Sequence, residues 1–307
     1  MSPTYDDSIF QAIAQKITRG SRVLETRALS GGISAEMYAM TLQRVDGTQE
    51  TVVIRRHGPI DLAANPNIAA DEFRLLETLH QIGIPVPQPI LLDTSCEILP
   101  TPYLVQELVQ GTPDFAPADL DHHIDQIAQQ LARIHQVDIQ AHDVRYLPHI
   151  NPLHDRIFSK MPDSLDESIN ERAIREVLIA AWPWGQSNAD VLLHGDYWLG
   201  NILMRDGRLL AIIDWEDAKV GDPLYDLGNA RLEMLWSFGE TAMHQFTKTY
   251  LAHMPALDTT RLPYWDLCTT LRPAGRLDDW AESPEQAQHW REGIQWFVQQ
   301  AVAAIKV

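Results

Sequence analysis

Only two cysteines, Cys96 and Cys268, occur in the 307 residues. That scarcity excludes a disulfide scaffold and a structural zinc site built on thiolates. Long hydrophobic runs are also missing: no apolar stretch approaches the ~18 residues of a spanning helix. The amino terminus, Met1-Ser2-Pro3-Thr4-Tyr5-Asp6-Asp7, lacks the positive and apolar regions of a secretory signal, so the expected compartment is the cytoplasm. Positive charge is short as well. The chain has 24 Lys+Arg against 42 Asp+Glu, a formal net charge of −18. Nucleic-acid binding needs clustered Lys and Arg, so this balance argues against a nucleic-acid partner and against an anionic membrane surface. It allows a cationic ligand without requiring one. There is no internal repeat, low-complexity tract or flexible linker. What remains is 45% hydrophobic and 21% charged, the composition of an ordinary globular protein. The length suits two domains, or one domain with two lobes.

Residues 8–18 carry Ile9, Ile13 and Ile17 at helical spacing. Residues 36–44 and 50–56 read as strands, joined by an Asp46-Gly47 turn. A helix is expected over Asp71 to Gln81, closed by Gly83. Ile84-Pro85-Val86-Pro87-Gln88-Pro89 must be extended. Tyr103 to Val109 reads as a buried strand, and Gly111-Thr112-Pro113 breaks the chain after it. Beyond residue 117 helices dominate, over 119–136, 171–181, 224–239 and 241–252. A strand-rich island at 191–214 interrupts them. The chain thus predicts a smaller sheet-rich lobe joined to a larger helical one.

The island carries the chemistry. Asp206-Gly207 sits between two apolar runs and predicts a two-residue hairpin loop. Carrying that register outward opposes Asn201 to Ile212 and Leu199 to Asp214. Alternation then puts Asn201 and Asp214 on one face at the open end of the hairpin. Asp196 lies five residues before Asn201, in the loop feeding that end. Asp and Asn without His or Cys suit a hard cation such as Mg2+, whose shell phosphate oxygens complete. A spare carboxylate beside it can orient and deprotonate a hydroxyl. That inventory belongs to phosphoryl transfer.

At this point the sequence resembles the aminoglycoside phosphotransferase and choline kinase-like family, relatives of the protein kinases. The resemblance rests on His194-Gly195-Asp196, Asn201, Ile213-Asp214-Trp215-Glu216, Gly221-Asp222-Pro223 and Asp226-Leu227. It implies an α+β, bilobal protein-kinase-like fold with a small antiparallel-sheet N-lobe and a larger helical C-lobe. The expected lobes are residues 1–109, for nucleotide, and 110–307, for catalysis and acceptor. Asp196 would be the catalytic base, and Asn201 and Asp214 would hold Mg2+. His194 would be a scaffold residue, and Asp222 and Asp226 structural, through loop and helix-start hydrogen bonds.

The resemblance also implies a nucleotide site upstream. Ser30, Gly31 and Gly32 stand where a phosphate loop is expected, although the sequence there is neither a Walker A motif nor G-x-G-x-x-G. Arg55 occupies the position of the usual phosphate-contacting lysine. It keeps the charge but changes the geometry. Glu72, on the next helix, is its expected ion-pair partner. The backbone from Glu107 to Val109 would meet the adenine of ATP or GTP. The acids Glu216, Asp217, Asp278, Asp279 and Glu282 are candidates for an acceptor pocket. The histidines His122, His123, His135, His142, His149 and His154 form no sharp ligand motif and read as surface or packing residues.

The expected activity is transfer of a γ-phosphoryl group to a hydroxyl of a small molecule. An aminoglycoside, a macrolide, choline, homoserine and a sugar all stay open as acceptors. The rival is a nucleotide-binding regulatory module without turnover.

Overall fold

The computed structural model describes residues 6–29, 35–183 and 187–305. Ser30, Gly31 and Gly32 therefore lie outside the described residues. The chain divides into two compact units. One comprises Met1–Thr112 with Leu210–Glu216, the other Pro113–Leu209 with Asp217–Val307. A short later segment thus returns to the unit built by the first third of the chain.

The first unit contains α1 (Asp7–Ile17), β1 (Arg22–Ala28), β2 (Ala35–Gln43), β3 (Gln49–His57), α2 (Pro59–Ala64), α3 (Ile68–Gln81), β4 (Pro89–Asp93) and β5 (Tyr103–Glu107). The strands form one antiparallel sheet in the order β1-β2-β3-β5-β4. The Asp46-Gly47 turn forms as expected: Gly47 has φ +86°, and the Asp46 carboxylate accepts from the Thr48 N–H at 2.9 Å. Alternation then sorts the side chains. Tyr38, Met40, Leu42, Val52, Ile54, Tyr103 and Val105 share a core with Phe10, Ile13 and Ala14 of α1. Val53, Arg55 and His57 have the opposite parity, and α3 lies against β3, β4 and β5. The helix begins at Ile68, a turn earlier than the sequence suggested, because Ile68 and Ala69 are buried. The strand expected to run to Val109 ends at Glu107.

The second unit holds α4 (Leu120–His135), α5 (Asn151–Phe158), α6 (Glu171–Ala181), β6 (Val191–Leu193) and β7 (Ile202–Arg205). Strand β8 (Arg208–Ile212) runs across the boundary between the units. Then follow β9 (Lys219–Gly221), α7 (Leu224–Phe238), α8 (Glu240–His253), α9 (Leu262–Thr269), α10 (Leu277–Trp280) and α11 (Pro284–Ile305). Helix α7 packs on α8, α9 and α11, and α4 packs on α8. A buried Arg231–Asp266 pair (Nε to Oδ1, 3.0 Å) ties α7 to α9.

The hairpin turn between β7 and β8 forms with φ +52° at Asp206 and +72° at Gly207, as a primed turn requires. Its strands are shorter than the sequence register assumed. Leu199–Asn201 is a 3-10 turn, and β8 stops at Ile212, with Asp214 at φ +68°. Neither Asn201 nor Asp214 is therefore a strand residue, and the strand-parity argument does not place them. The curl has a local cause: Gly200 lies under the Trp198 ring, where an added Cβ would come within 2.2 Å. An extended chain cannot make that approach.

Candidate active site

In the first unit, strand parity brings Arg55 and His57 to one face, and both meet Glu72 of α3. Arg55 Nη2 donates to Asp214 Oδ1 and Glu216 Oε2, each at 2.6 Å. Its Nε sits 3.2 Å from Glu72 Oε2, close enough for an ion pair but without hydrogen-bond alignment. His57 Nε2 lies 2.8 Å from the same Glu72 oxygen. Burial alone would discharge Arg55, but Glu72, Asp214 and Glu216 outweigh it and hold its pKa above the ordinary arginine range. Burial likewise pushes the Glu72 carboxyl up, and Arg55 and His57 bring it below the usual carboxylate value. Glu72 is buried rather than solvated.

One guanidinium thus faces three carboxylates. The excess of negative charge, made only of oxygen donors, is chemistry that fits a hard divalent cation at Asp214. Among the described residues, no three His, Cys, Asp or Glu side chains cluster so as to hold a metal by themselves. A magnesium here would need other oxygens, phosphate above all.

The segment expected to read adenine is also in this unit. The N–H of Leu108 donates to Thr51 O at 3.3 Å, and Val109 O accepts from the Gly111 N–H at 3.0 Å. Among the described residues the Val109 N–H has no protein partner. It is a backbone donor of the kind that reads a base edge.

In the second unit the loop His194–Asn201 is built around a buried carboxylate. Asp226, in the first turn of α7, accepts from the N–H of His194 at 2.7 Å and of Gly195 at 3.1 Å. His135 Nε2 stands 3.2 Å from the same carboxylate, and its Nδ1 lies 2.6 Å from the Tyr250 hydroxyl. Burial pushes Asp226 up, and these partners more than reverse it, so the group stays below the usual carboxylate range. Gly195 has φ +88°, and a Cβ there would fall 2.0 Å from Asp217 O. Only glycine makes the turn that presents Asp196. Asp222 accepts from the Leu224 N–H at 3.0 Å at the start of α7.

Asp196 is thereby fixed at its backbone and half-buried at its side chain. Its N–H donates to His194 Nδ1 at 3.2 Å. The buried Asn201 amide donates to Asp196 O at 3.0 Å and to Asp196 Oδ2 at 3.2 Å. That use of Nδ2 leaves the Asn201 carbonyl oxygen for another partner, a hard donor suited to magnesium. Asp196 Oδ1 accepts a hydrogen bond from Arg272 Nη2.

Not every acid expected at the acceptor pocket gathers here. Glu216 belongs to the Arg55 cluster of the first unit. Asp217 interacts with Lys219, Arg272 and His194. Asp278 pairs with Arg291 at 2.6 Å, and Asp279 and Glu282 are exposed. Three residues escaped the sequence reading. His57 was legible from its parity with Arg55. Arg272 and Glu233 had no signal, since each reaches the loop only through tertiary packing. Of the histidines read as surface or packing, His135 is buried in the Asp226 network.

A profile of the family described as "Phosphotransferase enzyme family" matches residues 25–262. A curated relative, acyl-CoA dehydrogenase family member 11 of Pongo abelii, is 27% identical over 201 residues, which are 61% of this chain and 26% of that protein. The chain therefore spans about a quarter of the length of the curated relatives it first matches. The crystal structure of a macrolide 2'-phosphotransferase from Brachybacterium faecium superposes with a TM-score of 0.62 at 20% identity, covering 94% of this chain and 98% of that one. A thermostable mutant of aminoglycoside phosphotransferase APH(4)-Ia, in ternary complex with AMP-PNP and hygromycin B, gives a TM-score of 0.58 at 18% identity, covering 97% of each chain. These likenesses establish a shared fold, built on a five-stranded sheet and a helical unit.

Proposed function

Since the chain belongs to the phosphotransferase enzyme family, we propose that it transfers the γ-phosphoryl group of ATP to a hydroxyl of a small molecule, in the presence of Mg2+. The observation that carries this reading is the Asp196–Asn201 pair, held in a loop whose backbone hangs on buried Asp226. Asp196 takes or orients the proton of the attacking hydroxyl. Asn201, through its free carbonyl oxygen, and Asp214 would hold the metal. Bound magnesium supplies charge neutralisation to the phosphate oxygens. Arg55, aligned by Glu72, steadies the α- and β-phosphates, with Ser30, Gly31 and Gly32 over them. The Val109 N–H reads the base, and competition between ATP and GTP for binding tells which. A cytoplasmic location goes with this reading, because ATP is there; no described helix is long and apolar enough to cross a membrane.

Structural neighbours that carry hygromycin B make an aminoglycoside one acceptor to test. The test is an ATP-consumption screen against alcohols, with Asp196→Asn as control. Losing a positioned base costs roughly 10²–10⁴-fold in turnover. Turnover that survives Asp196→Asn undiminished overturns the mechanism. The rival reading, nucleotide binding without turnover, draws on Arg55, whose guanidinium is engaged by three carboxylates. Mg2+-dependent nucleotide binding with no product from any acceptor would favour it.

A further inference from the structure

We propose that Arg272 selects the acceptor, and that the acceptor alcohol bears an oxyanion, carboxylate or phosphate, which draws the guanidinium away from Asp196. This rests on the reading of Asp196 as the base.

Both oxygens of that base are engaged. Oδ2 accepts from Asn201 and Oδ1 from Arg272. Each oxygen keeps a second lone pair, but a hydroxyl approaching Asp196 must come in beside one of these donors. Asn201 is only 6% exposed and holds Asp196 at two atoms, so it stays. The Arg272 side chain is 35% exposed and lies in a turn segment beyond α9, so it is the donor that gives way.

A displaced guanidinium needs an anion, and the surrounding protein does not dedicate one to it. Asp217 faces Arg272 but is held by Lys219, Nζ to Oδ1 at 3.0 Å. Glu233 also faces it, but burial pushes that carboxyl up to about 7, against the pull of Arg272, so at neutral pH it is a partial counter-ion. Only Nη2 of the Arg272 guanidinium makes a hydrogen bond among the described residues. The rest of its planar fork is available, and that fork matches a carboxylate or phosphate bidentately. An ammonium group on the acceptor would instead meet a like charge beside the base. The reacting hydroxyl must therefore arrive next to a cation, although Asp196, Asp217 and Glu233 lie around that cation.

The test measures binding, not turnover. The 307-residue chain, saturated with AMP-PNP and Mg2+, is titrated with four probes on one carbon skeleton: glycerate, glycerol 3-phosphate, glycerol and 3-amino-1,2-propanediol. Glycerate or glycerol 3-phosphate should bind more tightly than glycerol, and the amine no better than glycerol. The stronger of the two anions identifies the group. In Arg272→Gln the anion preference should fall about tenfold or more, the loss of a charge-assisted contact, with AMP-PNP affinity kept. Arg272→Lys should restore part of it. No anion preference in the wild type, or one that survives Arg272→Gln, overturns the proposal. Asp196→Asn separates the two readings: it should leave anion binding in place while removing turnover.

Discussion

Replacing Asp226 by Asn changes one atom and almost no volume, yet it attacks the support of the whole loop. Asp226 is fully buried, and three donors converge on its two oxygens: the N–H groups of His194 and Gly195, and His135 Nε2. An Asn oxygen can replace Oδ2 and keep two of them. Its NH2 group then faces the Gly195 N–H, donor against donor. Leaving that N–H unsatisfied costs about 1–3 kcal/mol. The two surviving bonds lose their charge assistance, at about 1 kcal/mol each. The sum is about 3–5 kcal/mol, a large share of a typical domain's stability. Urea denaturation of Asp226→Asn, followed by tryptophan fluorescence, should show the midpoint lowered with the slope unchanged. The pH dependence gives a second check. The folded-state pKa of Asp226 lies below its unfolded value of about 3.9, so its contribution is complete above that value. It is lost as pH falls toward the folded pKa, and the variant should lose less stability across that acid window. A variant within about 1 kcal/mol of wild type at neutral pH, or one with the same acid profile, would refute the argument.

Gly195→Ala must place a Cβ 2.0 Å from Asp217 O at φ +88°, so strain and overpacking together should cost about 2–5 kcal/mol, read as a lowered melting temperature with lost turnover. Arg55→Lys keeps the charge but not the fork that spans Glu72, Asp214 and Glu216; stranding a buried carboxylate should cost about 3 kcal/mol in denaturant titration and weaken ATP binding. His154 is 1% exposed among Phe158, Trp182, Tyr225 and Trp265, and burial pushes it down to about 4. Its neutral form stabilises the fold above the unfolded value of about 6.5, and up to about 3 kcal/mol is lost as pH falls from there toward 4. His154→Phe should flatten the stability profile across that window, and an unchanged slope would count against the assignment.

The sheet-and-helix architecture was legible because its signals are local. The Asp206-Gly207 turn, the Arg55 strand and the helical periodicity of α4 each need fewer than twenty neighbouring residues. Strand β1 escaped because it is an edge strand with only two half-buried positions, so it shows no apolar alternation. The short strand β4 escaped beside the proline-rich run that begins it. Asp196 and Asn201 could be paired from spacing, but for a reason the strand argument did not contain. A 3-10 turn and an amide closing on a backbone carbonyl bring them together. Arg272 lies 76 residues beyond Asp196, and Tyr250 lies 115 beyond His135. Contacts of that span depend on how helices pack, which periodicity does not specify.

The return of residues 210–216 to the first unit has a consequence during synthesis. The carboxylates of Asp214 and Glu216 follow Arg55 by 159 and 161 residues. At roughly 5–20 residues per second, the ribosome makes Arg55 about 8–30 s before either exists. Through that interval Arg55 has Glu72 alone of its three carboxylate partners. A fragment cut at residue 112 would lack both Asp214 and Glu216, and with them two of the three carboxylates that balance Arg55.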